Sequence, residues 1–373
     1  MLEATCNACL EPLDSPTYIP VGSRRNSKVY LCRNCGLCQT FQEQDTNQGL
    51  KTLSSDAGWG NVRHAKGVRL QSQLENLKTC LAKLGPKARV LDIGSSRGQF
   101  LEWCAGEFPG NAYFGIEKDA SIAATEIGPH VEVTVANLMN SKIDSFEKFN
   151  FIFCNHSLEH FDDAIESLRY IRELLTDEGI LWIDVPNLIA IKDKMVVEEF
   201  FIDKHMFHFE PSTLRGILGR VGLDLEEDHS DDFNLVFLAK KIQPQENVHH
   251  KNLVSAEDIL SYGQTLTENR QKIKSVVAKI NPSENVAIYG SGRILDALIK
   301  YGDLDTSNFV IADRFLWEHA GNLGIKIHNP ESVGWSNFDK VILLARSSEK
   351  EISDWLTSKG ARKLVKFEEL WND

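Results

Sequence analysis

Four of the eight cysteines form two Cys-x-x-Cys pairs near the start of the chain, Cys6 with Cys9 and Cys32 with Cys35. Each pair of this spacing fits a tight turn, and two such turns can place four thiolates tetrahedrally around one Zn²⁺. Four cysteine ligands leave no open coordination position, so the predicted site is structural and not catalytic. The alternative is four buried structural thiols. We favour zinc, because two matched pairs in a reducing compartment are a specific signal.

A second group of residues could bind a ligand through the backbone. An apolar strand starts at Ala88 and ends in Asp92-x-Gly94, and a turn of small residues leads through Gly98 into a helix. A strand, a glycine turn and a helix N-terminus together present backbone N–H groups to a ligand. The next predicted strand ends in an acid, Glu117, which can accept hydrogen bonds from a ribose diol.

The elements that must position these residues alternate between strand and helix. After a predicted helix with a leucine stripe over 62–84, which Gly85 and Pro86 end, strands are predicted around 88–94, 113–117, 131–135, 149–154 and 179–185, with a helix over 162–175. This alternation predicts an α/β fold with a parallel, doubly wound sheet that binds ligands at the carboxyl ends of its strands. The polar segment 40–60 is predicted to be a loop, and Cys80, Cys104 and Cys154 are predicted to be core residues.

A second, smaller α/β unit is predicted after a polar linker and a long helix over 255–280. It contains a glycine turn at Gly290-x-Gly292 and an acid, Asp313, at the end of its next strand. This pattern would suit a dinucleotide, but Leu295 stands where a third glycine is usual, so a structural or substrate-contacting unit is favoured over an NAD site. The predicted domains are 1–60, 61–242, a linker with a helix over 243–284, and 285–373.

Composition excludes several classes of function. The 373 residues are 42% hydrophobic and 25% charged, which is ordinary for a folded protein of two or three domains. The net charge of −12 argues against nucleic acid or an anionic membrane as a partner. No apolar run of about 18 residues predicts a membrane span. A signal peptide is not expected from the first residues, MLEATCNACL, so a cytoplasmic location is predicted.

The order of the central elements resembles the class I S-adenosylmethionine-dependent methyltransferases. The residues that carry the resemblance are Asp92-x-Gly94-x-x-x-Gly98, Glu117 and the run from Asn155 to His160, Asn-His-Ser-Leu-Glu-His. The chain departs from the family at Ser96, where the turn usually has its middle glycine. The resemblance implies that the cofactor S-adenosylmethionine contacts seven residues: Asp92, Gly94, Ser95, Gly98, Glu117, Asn137 and Asn155. Glu159 and His160 have a plain alternative, as a helix cap and a paired polar group.

All three predicted parts together resemble a narrower family, the bacterial nucleotide-sugar C-methyltransferases of deoxysugar pathways. These proteins combine a four-cysteine zinc domain, a methyltransferase core and a C-terminal Rossmann-like domain. The matching motifs are Cys32-x-x-Cys35-Gly36-Leu37-x-Gln39, Ser54-Ser55 with Trp59 and His64, and Tyr289-Gly290. The family's catalytic loop corresponds here to 201–209, where His205 matches but Ile202 and His208 replace tyrosines. The same loop also fits the looser His-x-x-x-Phe-x-Pro pattern of sugar O-methyltransferases.

The resemblance implies methylation of a nucleotide-linked keto-deoxy sugar through a base-generated enolate. Either C- or O-methylation needs a base, and histidine suits that task near neutral pH. His205 is predicted to be the base and His208 the second candidate, with Asp203 or Lys204 as orienting or oxyanion partner. The predicted substrate contacts are His156, His160, Asn187 and Lys204. Cations for the phosphates are sought among Arg63, Lys66, Arg293 and Arg346.

Three alternatives remain open at this point: a sugar or glycan O-methyltransferase, a non-catalytic methyltransferase-like scaffold, and an NAD-dependent enzyme that uses the C-terminal turn. Packing alone is a further alternative role for His205 and His208. The chain is predicted to act as a monomer or homodimer on a small molecule.

Overall fold

The computed structural model describes residues 4–21, 23–42, 68–123, 127–128, 130–141, 147–245, 252–280, 284–317, 325–346 and 349–372. The chain divides into two compact units. The first contains the described residues of 1–52, 72–193 and 200–263, and the second contains those of 53–71, 194–199 and 264–373. Within the parts of the chain that the structure describes, no helix combines the length and the apolar character needed to cross a membrane.

Ten strands lie in the described residues of the first unit. In chain order they are β1 (Lys28–Leu31), β2 (Cys38–Phe41), β3 (Arg89–Ile93), β4 (Ala112–Glu117), β5 (Val131–Val135), β6 (Phe149–Asn155), β7 (Leu175–Pro186), β8 (Phe207–His208), β9 (Leu223–Asp228) and β10 (Asn234–Lys241). The helices before residue 250 are α1 (Val68–Leu81), α2 (Gln99–Glu107), α3 (Ala164–Leu174) and α4 (Pro211–Val221).

Seven of these strands form one sheet in the order β5-β4-β3-β6-β7-β10-β9. The first five are parallel to one another, as predicted, and β10 is antiparallel to both β7 and β9. The sheet is therefore mixed, which corrects the prediction of a parallel sheet. The reason is a short connection: only residues 229–233 join β9 to β10, and a link of that length makes an antiparallel hairpin.

The sheet is stable because its central strands are buried. Phe149, Phe151 and Ile152 on β6 are fully buried, and so are Trp182 and Ile183 on β7. Strands that are covered on both faces read as continuous apolar runs, which is why the sequence predicts them well. Cys80, Cys104 and Cys154 are buried, as predicted.

Two sequence predictions about local structure need correction. The predicted helix over 62–84 ends at Leu81, and a turn in which Leu84 N–H donates to the Leu81 carbonyl continues to Leu84. The predicted loop over 40–60 is wrong at its start, because Thr40 and Phe41 belong to β2. Residues 43–67, with the predicted helix start and the motif residues Ser54, Ser55, Trp59 and His64, lie outside the described residues, as do Arg63 and Lys66.

The cysteine-containing segment packs on the seven-stranded sheet within the first unit. Strands β1, β2 and β8 form a three-stranded antiparallel sheet, and β8 comes from the loop after β7. Cys6, Cys32 and Leu37 belong to the same apolar core as β3 and β6. The segment therefore shares a core with the larger sheet, which a region of about 40 residues needs for stability.

A buried glutamate ties the end of the first unit to α4. Glu210 Oε2 accepts the Leu253 N–H at 2.8 Å and the Val254 N–H at 2.7 Å, and Glu210 Oε1 shares the Leu253 N–H at 3.0 Å. Glu210 is 1% exposed and Val254 is 3% exposed, so water cannot replace these bonds.

We expect Glu210→Ala to lower the free energy of unfolding by about 3 kcal/mol, because two buried N–H groups lose a charged acceptor. Urea unfolding followed by fluorescence measures the change. Glu210→Gln keeps one acceptor oxygen and should lose about half as much. An Ala variant as stable as the parent protein would contradict the assignment.

The second unit contains a parallel sheet. Its elements are, in chain order, α6 (Arg293–Gly302), α7 (Glu349–Ser358) and α8 (Phe367–Asn372), with strands β11 (Val286–Tyr289), β12 (Val310–Ala312), β13 (Ile327–His328), β14 (Lys340–Leu343) and β15 (Leu364–Lys366). The sheet order is β13-β12-β11-β14-β15, and all pairs are parallel. The long helix α5 (Ala256–Ala278) contains residues of both units.

Candidate active site and metal sites

The four cysteines of the two Cys-x-x-Cys pairs lie together. Cys6 Sγ is 3.5 Å from Cys35 Sγ, and Cys9 Sγ is 3.5 Å from Cys32 Sγ. All four sulfur atoms lie within 4.8 Å of one another. A tetrahedral zinc–thiolate site has sulfur atoms about 3.8 Å apart, since each Zn–S bond is about 2.3 Å. The donor set and its spacing therefore fit zinc. Cys38 is buried on β2 and does not belong to the group.

The glycine turn lies between β3 and α2. Gly94 has φ +79° and Gly98, the residue before α2, has φ +73°. Gly94 also has no room for a side chain, because a Cβ there would lie 2.1 Å from Ser157 Oγ. Ser157 follows β6 and donates its hydroxyl to the Ile93 carbonyl. The turn is therefore fixed by the neighbouring strand.

Glu117 braces this turn from the end of β4. Its carboxylate accepts the Ser96 N–H at 2.9 Å and the Asp119 N–H at 2.8 Å. Ser96 has φ +47° although it is not a glycine, so the departure from the usual glycine pattern is accommodated by this bond. The sequence analysis predicts only that Glu117 binds a ribose. The structure shows that Glu117 also holds the turn in place.

The predicted cofactor residues gather at the carboxyl ends of β3, β4 and β6, with Asn137 at the end of β5. Ser95 Oγ and Asn155 Oδ1 are buried atoms without a hydrogen-bond partner. The Asn137 side chain accepts the Met139 N–H. Asp92 is buried within β3, and burial, with a smaller contribution from Glu117, raises its pKa well above the usual range. The two partnerless oxygens show that this region offers polar atoms to a ligand.

A buried carboxylate, Glu159, is the centre of a histidine cluster beside the turn. Glu159 lies in a 3-10 turn, Leu158–His160, that directly follows β6, and it is fully buried. Its Oε1 is 3.2 Å from His156 Nδ1, 3.7 Å from His160 Nε2 and 4.0 Å from His205 Nε2. Three of the predicted site histidines therefore meet around one acid that the sequence analysis did not place among the site residues.

The electrostatics of this group follow from burial and charge. Burial alone would raise the pKa of Glu159, but the imidazoles of His160, His156 and His205 outweigh it and hold the pKa below its usual range. Burial lowers the pKa of His205 well below its usual range, against a smaller opposite effect of Glu159. At neutral pH the acid is therefore ionised and His205 is neutral, so that His205 has a free nitrogen lone pair.

His156 is held between two acids. Besides Glu159, its ring approaches Asp184, with Nε2 3.4 Å from Asp184 Oδ1. Its backbone has φ +48°, a strained value for a residue with a side chain, and its N–H donates to the Asp184 carbonyl. Asp184 was missed by the sequence analysis, although an acid inside the apolar run of β7 is a signal that could have found it.

The other predicted site residues are placed apart from this cluster. His208 lies on β8 and is buried, with Nε2 2.8 Å from Thr40 Oγ1, and burial lowers its pKa to about 3. Asn187 uses its side chain to accept the Ile189 N–H and to donate to the Asp231 carbonyl. Lys204 is exposed, and its carbonyl oxygen accepts a hydrogen bond from His160 Nδ1.

The cysteine-containing segment positions the loop that carries His205. Asp203 accepts the Arg24 N–H at 2.8 Å and the Ser27 hydroxyl at 2.7 Å, and Gln42 donates to its carbonyl. Two residues after His205, the chain pairs with β2 as strand β8. The sequence gives no local signal for these contacts, because the partners are about 160 to 180 residues apart.

In the second unit, the turn after β11 has its acid engaged by the backbone. Asp313 accepts the Ser291 N–H at 2.9 Å and the Phe315 and Leu316 N–H groups. Arg293, one of the predicted phosphate contacts, is exposed and pairs with Glu198 at 3.3 Å. These contacts agree with a structural role for the turn. The preference for such a role over an NAD site stays a prediction.

The comparisons with known proteins agree with this geometry at the level of the domain. Residues 65–228 match the family model described as a methyltransferase domain. The chain therefore contains a methyltransferase domain, which confirms that prediction at this level. No curated protein sequence matches the chain.

Solved structures of methyltransferases resemble part of the chain. An S-adenosylmethionine-dependent methyltransferase from Mesorhizobium loti is 16% identical, with a TM-score of 0.35, and the match covers 44% of this chain and 96% of that one. The plantazolicin methyltransferase BamL is 15% identical, with a TM-score of 0.41, over 49% of this chain and 90% of that one. A methyltransferase from Listeria monocytogenes is 14% identical, with a TM-score of 0.38, over 47% of this chain and all of that one. Because the sequence identities and TM-scores are this low, the matches give no information about the substrate of this chain.

Proposed function

We propose that the protein is an S-adenosylmethionine-dependent methyltransferase that methylates a small molecule, with a nucleotide-linked keto-deoxy sugar as the substrate class. The proposal rests on how residues are arranged at the carboxyl ends of the central strands of the seven-stranded sheet. There the glycine turn and Glu117 lie next to the histidine cluster around Glu159, and Ser157 joins the two through its contacts with Ile93 and Gly94.

The residues at the turn fit the proposed cofactor. Most N–H groups of the turn are bonded within the fold: those of Gly94 and Ser95 donate to the Ile116 carbonyl, and that of Gly98 donates to the Ser95 carbonyl. The partnerless Ser95 hydroxyl would therefore hold the aminoacyl end, and Glu117 would accept the ribose hydroxyls. Both oxygens of Glu117 already accept one N–H each, and each keeps a second lone pair for a ribose hydroxyl. When bound, S-adenosylmethionine supplies the methyl group on a sulfonium leaving group.

The acceptor must lose a proton during the transfer, and the Glu159 cluster supplies bases for it. His205 is neutral and next to an ionised acid, so a proton received by its ring is stabilised by that acid. His156 lies between Glu159 and Asp184 and has the same support. His208 is bonded to Thr40, and we assign it to positioning the His205 loop.

C-methylation and O-methylation both need such a base. The three-part resemblance favours carbon as the acceptor, since a base next to a ketone gives an enolate. The motif His205-x-x-x-Phe209-x-Pro211 favours a sugar hydroxyl. Zinc in the four-cysteine site would hold the segment that orients the His205 loop, and its role is structural.

Calorimetric titration of the zinc-loaded protein with S-adenosylmethionine, and with NAD in parallel, tests the cofactor. We expect micromolar binding of S-adenosylmethionine and none of NAD. Absence of S-adenosylmethionine binding would overturn the proposal and favour a non-catalytic scaffold, and NAD binding alone would favour the dehydrogenase alternative.

Incubation with nucleotide-linked keto-deoxy sugars then tests the acceptor, with mass spectrometry for transfer and NMR to separate a C-methyl from an O-methyl product. His205→Ala should lower the rate constant kcat about 100-fold or more while S-adenosylmethionine binding is kept. His229→Ala is a matched control, because His229 also pairs with a glutamate, Glu227, but lies outside the cluster.

A further inference from the structure

Glu159, His160 and His205 face one another in a way that hydrogen bonding does not explain. The closest approaches of His160 Nε2 and His205 Nε2 to Glu159 Oε1 are 3.7 and 4.0 Å, beyond the range of a direct hydrogen bond. Glu159 Oε1 lies within hydrogen-bond range of one ring nitrogen, His156 Nδ1 at 3.2 Å. Glu159 Oε2, by contrast, is buried and has no hydrogen-bond partner.

The orientation of His160 is fixed by its second nitrogen. Nδ1 lies 2.7 Å from the Lys204 carbonyl oxygen, which can only accept, so Nδ1 carries a proton. In a neutral ring Nε2 then presents a lone pair toward the Glu159 carboxylate. A cation between this nitrogen and the Glu159 carboxylate would bond to both. A histidine that donates Nδ1–H to a carbonyl and points Nε2 inward has the usual arrangement of a metal ligand.

The spacing fits an ion. Ligand atoms of Glu159, His160 and His205 all lie within 4.8 Å of one another. Nitrogen and oxygen ligands of a tetrahedral zinc site are about 3.4 Å apart, since each bond is about 2.0–2.2 Å. Shifts of a few tenths of an ångström to one ångström in side chains on a 3-10 turn and a loop close this difference.

We infer that Glu159, His160 and His205 bind one divalent transition-metal ion of the zinc class, separate from the four-cysteine site. Two imidazoles and one carboxylate are typical ligands of such ions, and three protein ligands leave an open position. The role of this ion rests on the proposed function. An oxygen of the methyl acceptor would bind at the open position, and the ion would stabilise the negative charge that develops on this oxygen. His205 is then a ligand, and the neighbouring His156 is left to receive the proton.

Cobalt(II) is the probe that separates the two metal sites. The full-length protein is first loaded with one equivalent of zinc to fill the four-cysteine site, and Co²⁺ is then added. We expect one further equivalent to bind, with the weak visible bands of nitrogen and oxygen ligands and without the strong near-ultraviolet absorption of cobalt–thiolate bonds. No second equivalent, or thiolate absorption alone, would overturn the inference.

Two variants assign the ligands. Glu159→Gln keeps the shape of the side chain, and we expect it to weaken Co²⁺ binding at least about tenfold, and His205→Ala to do the same. The control pair is Glu227→Gln and His229→Ala, in which an equivalent acid and histidine are changed at the β9–β10 hairpin. Unchanged Co²⁺ binding in Glu159→Gln, or equal losses in the controls, would overturn the ligand assignment.

Calorimetry with S-adenosylmethionine on the same samples separates this inference from the proposed function. Protein that binds S-adenosylmethionine but no second metal ion contradicts only the metal site. Protein that binds the metal ion at Glu159 but not S-adenosylmethionine contradicts only the proposed function. S-adenosylmethionine binding by the Glu159→Gln variant also shows that this variant is folded, because the proposed cofactor site is the glycine turn, which does not include Glu159.

Discussion

Replacing Cys32 by serine is expected to abolish zinc binding and to lower methyl transfer about 100-fold or more, while the affinity for S-adenosylmethionine stays within about threefold. The reason is that different contacts in the first unit hold the His205 loop and the glycine turn. The loop of His205 is bound to the cysteine-containing segment through Asp203 and β8, whereas the glycine turn is fixed by Glu117 and Ser157. A displacement of about 1 Å at a reacting group costs about 100-fold in rate.

Metal analysis, calorimetry and the transfer assay on one preparation check this expectation. Cys80→Ser is the matched control, because Cys80 is equally buried but lies on α1, outside the four-cysteine group. It should keep its zinc and lose little activity. A Cys32→Ser protein that lacks zinc and transfers methyl groups at the parental rate would refute the positioning role.

The parts of the fold that sequence predicts well are those specified by local chemistry. The central parallel strands are uninterrupted apolar runs, because both faces of the sheet are covered. The four-cysteine group is likewise readable from the spacing of Cys6, Cys9, Cys32 and Cys35, although the sequence does not reveal that Cys6 lies next to Cys35. Strand β9 was missed because its acidic, half-exposed pattern is typical of a surface loop.

The candidate site is less predictable because tertiary contacts assemble it. His156 and Glu159 are near in sequence, yet their contact depends on the positive φ of His156 and on a 3-10 turn. His205 reaches Glu159 only because Met206 N–H bonds to the Glu159 carbonyl and β8 pairs with β2. Such long-range pairings leave no periodic pattern in the sequence, so the importance of Glu159 could be seen only in the fold.

Replacing Gly94 by alanine should weaken S-adenosylmethionine binding about 100-fold, a loss of about 2.7 kcal/mol. Two effects add. The φ of +79° is unfavourable for any residue with a Cβ, by about 1 kcal/mol, and the new methyl group would lie 2.1 Å from Ser157 Oγ. The turn must shift to relieve the contact, and the Ser95 hydroxyl then moves away from the ligand.

Gly106→Ala is the control, since Gly106 lies in α2 with no atom near the position of a Cβ, and alanine there should leave binding unchanged. The double variant Gly94→Ala/Ser157→Ala separates the two effects. If the steric contact dominates, removing the serine hydroxyl restores about tenfold of the lost affinity. If the φ of Gly94 dominates, the double variant binds as weakly as Gly94→Ala, because the backbone strain remains. Tight binding by Gly94→Ala itself would mean that the cofactor does not use this turn, and calorimetry of the four proteins decides among these outcomes.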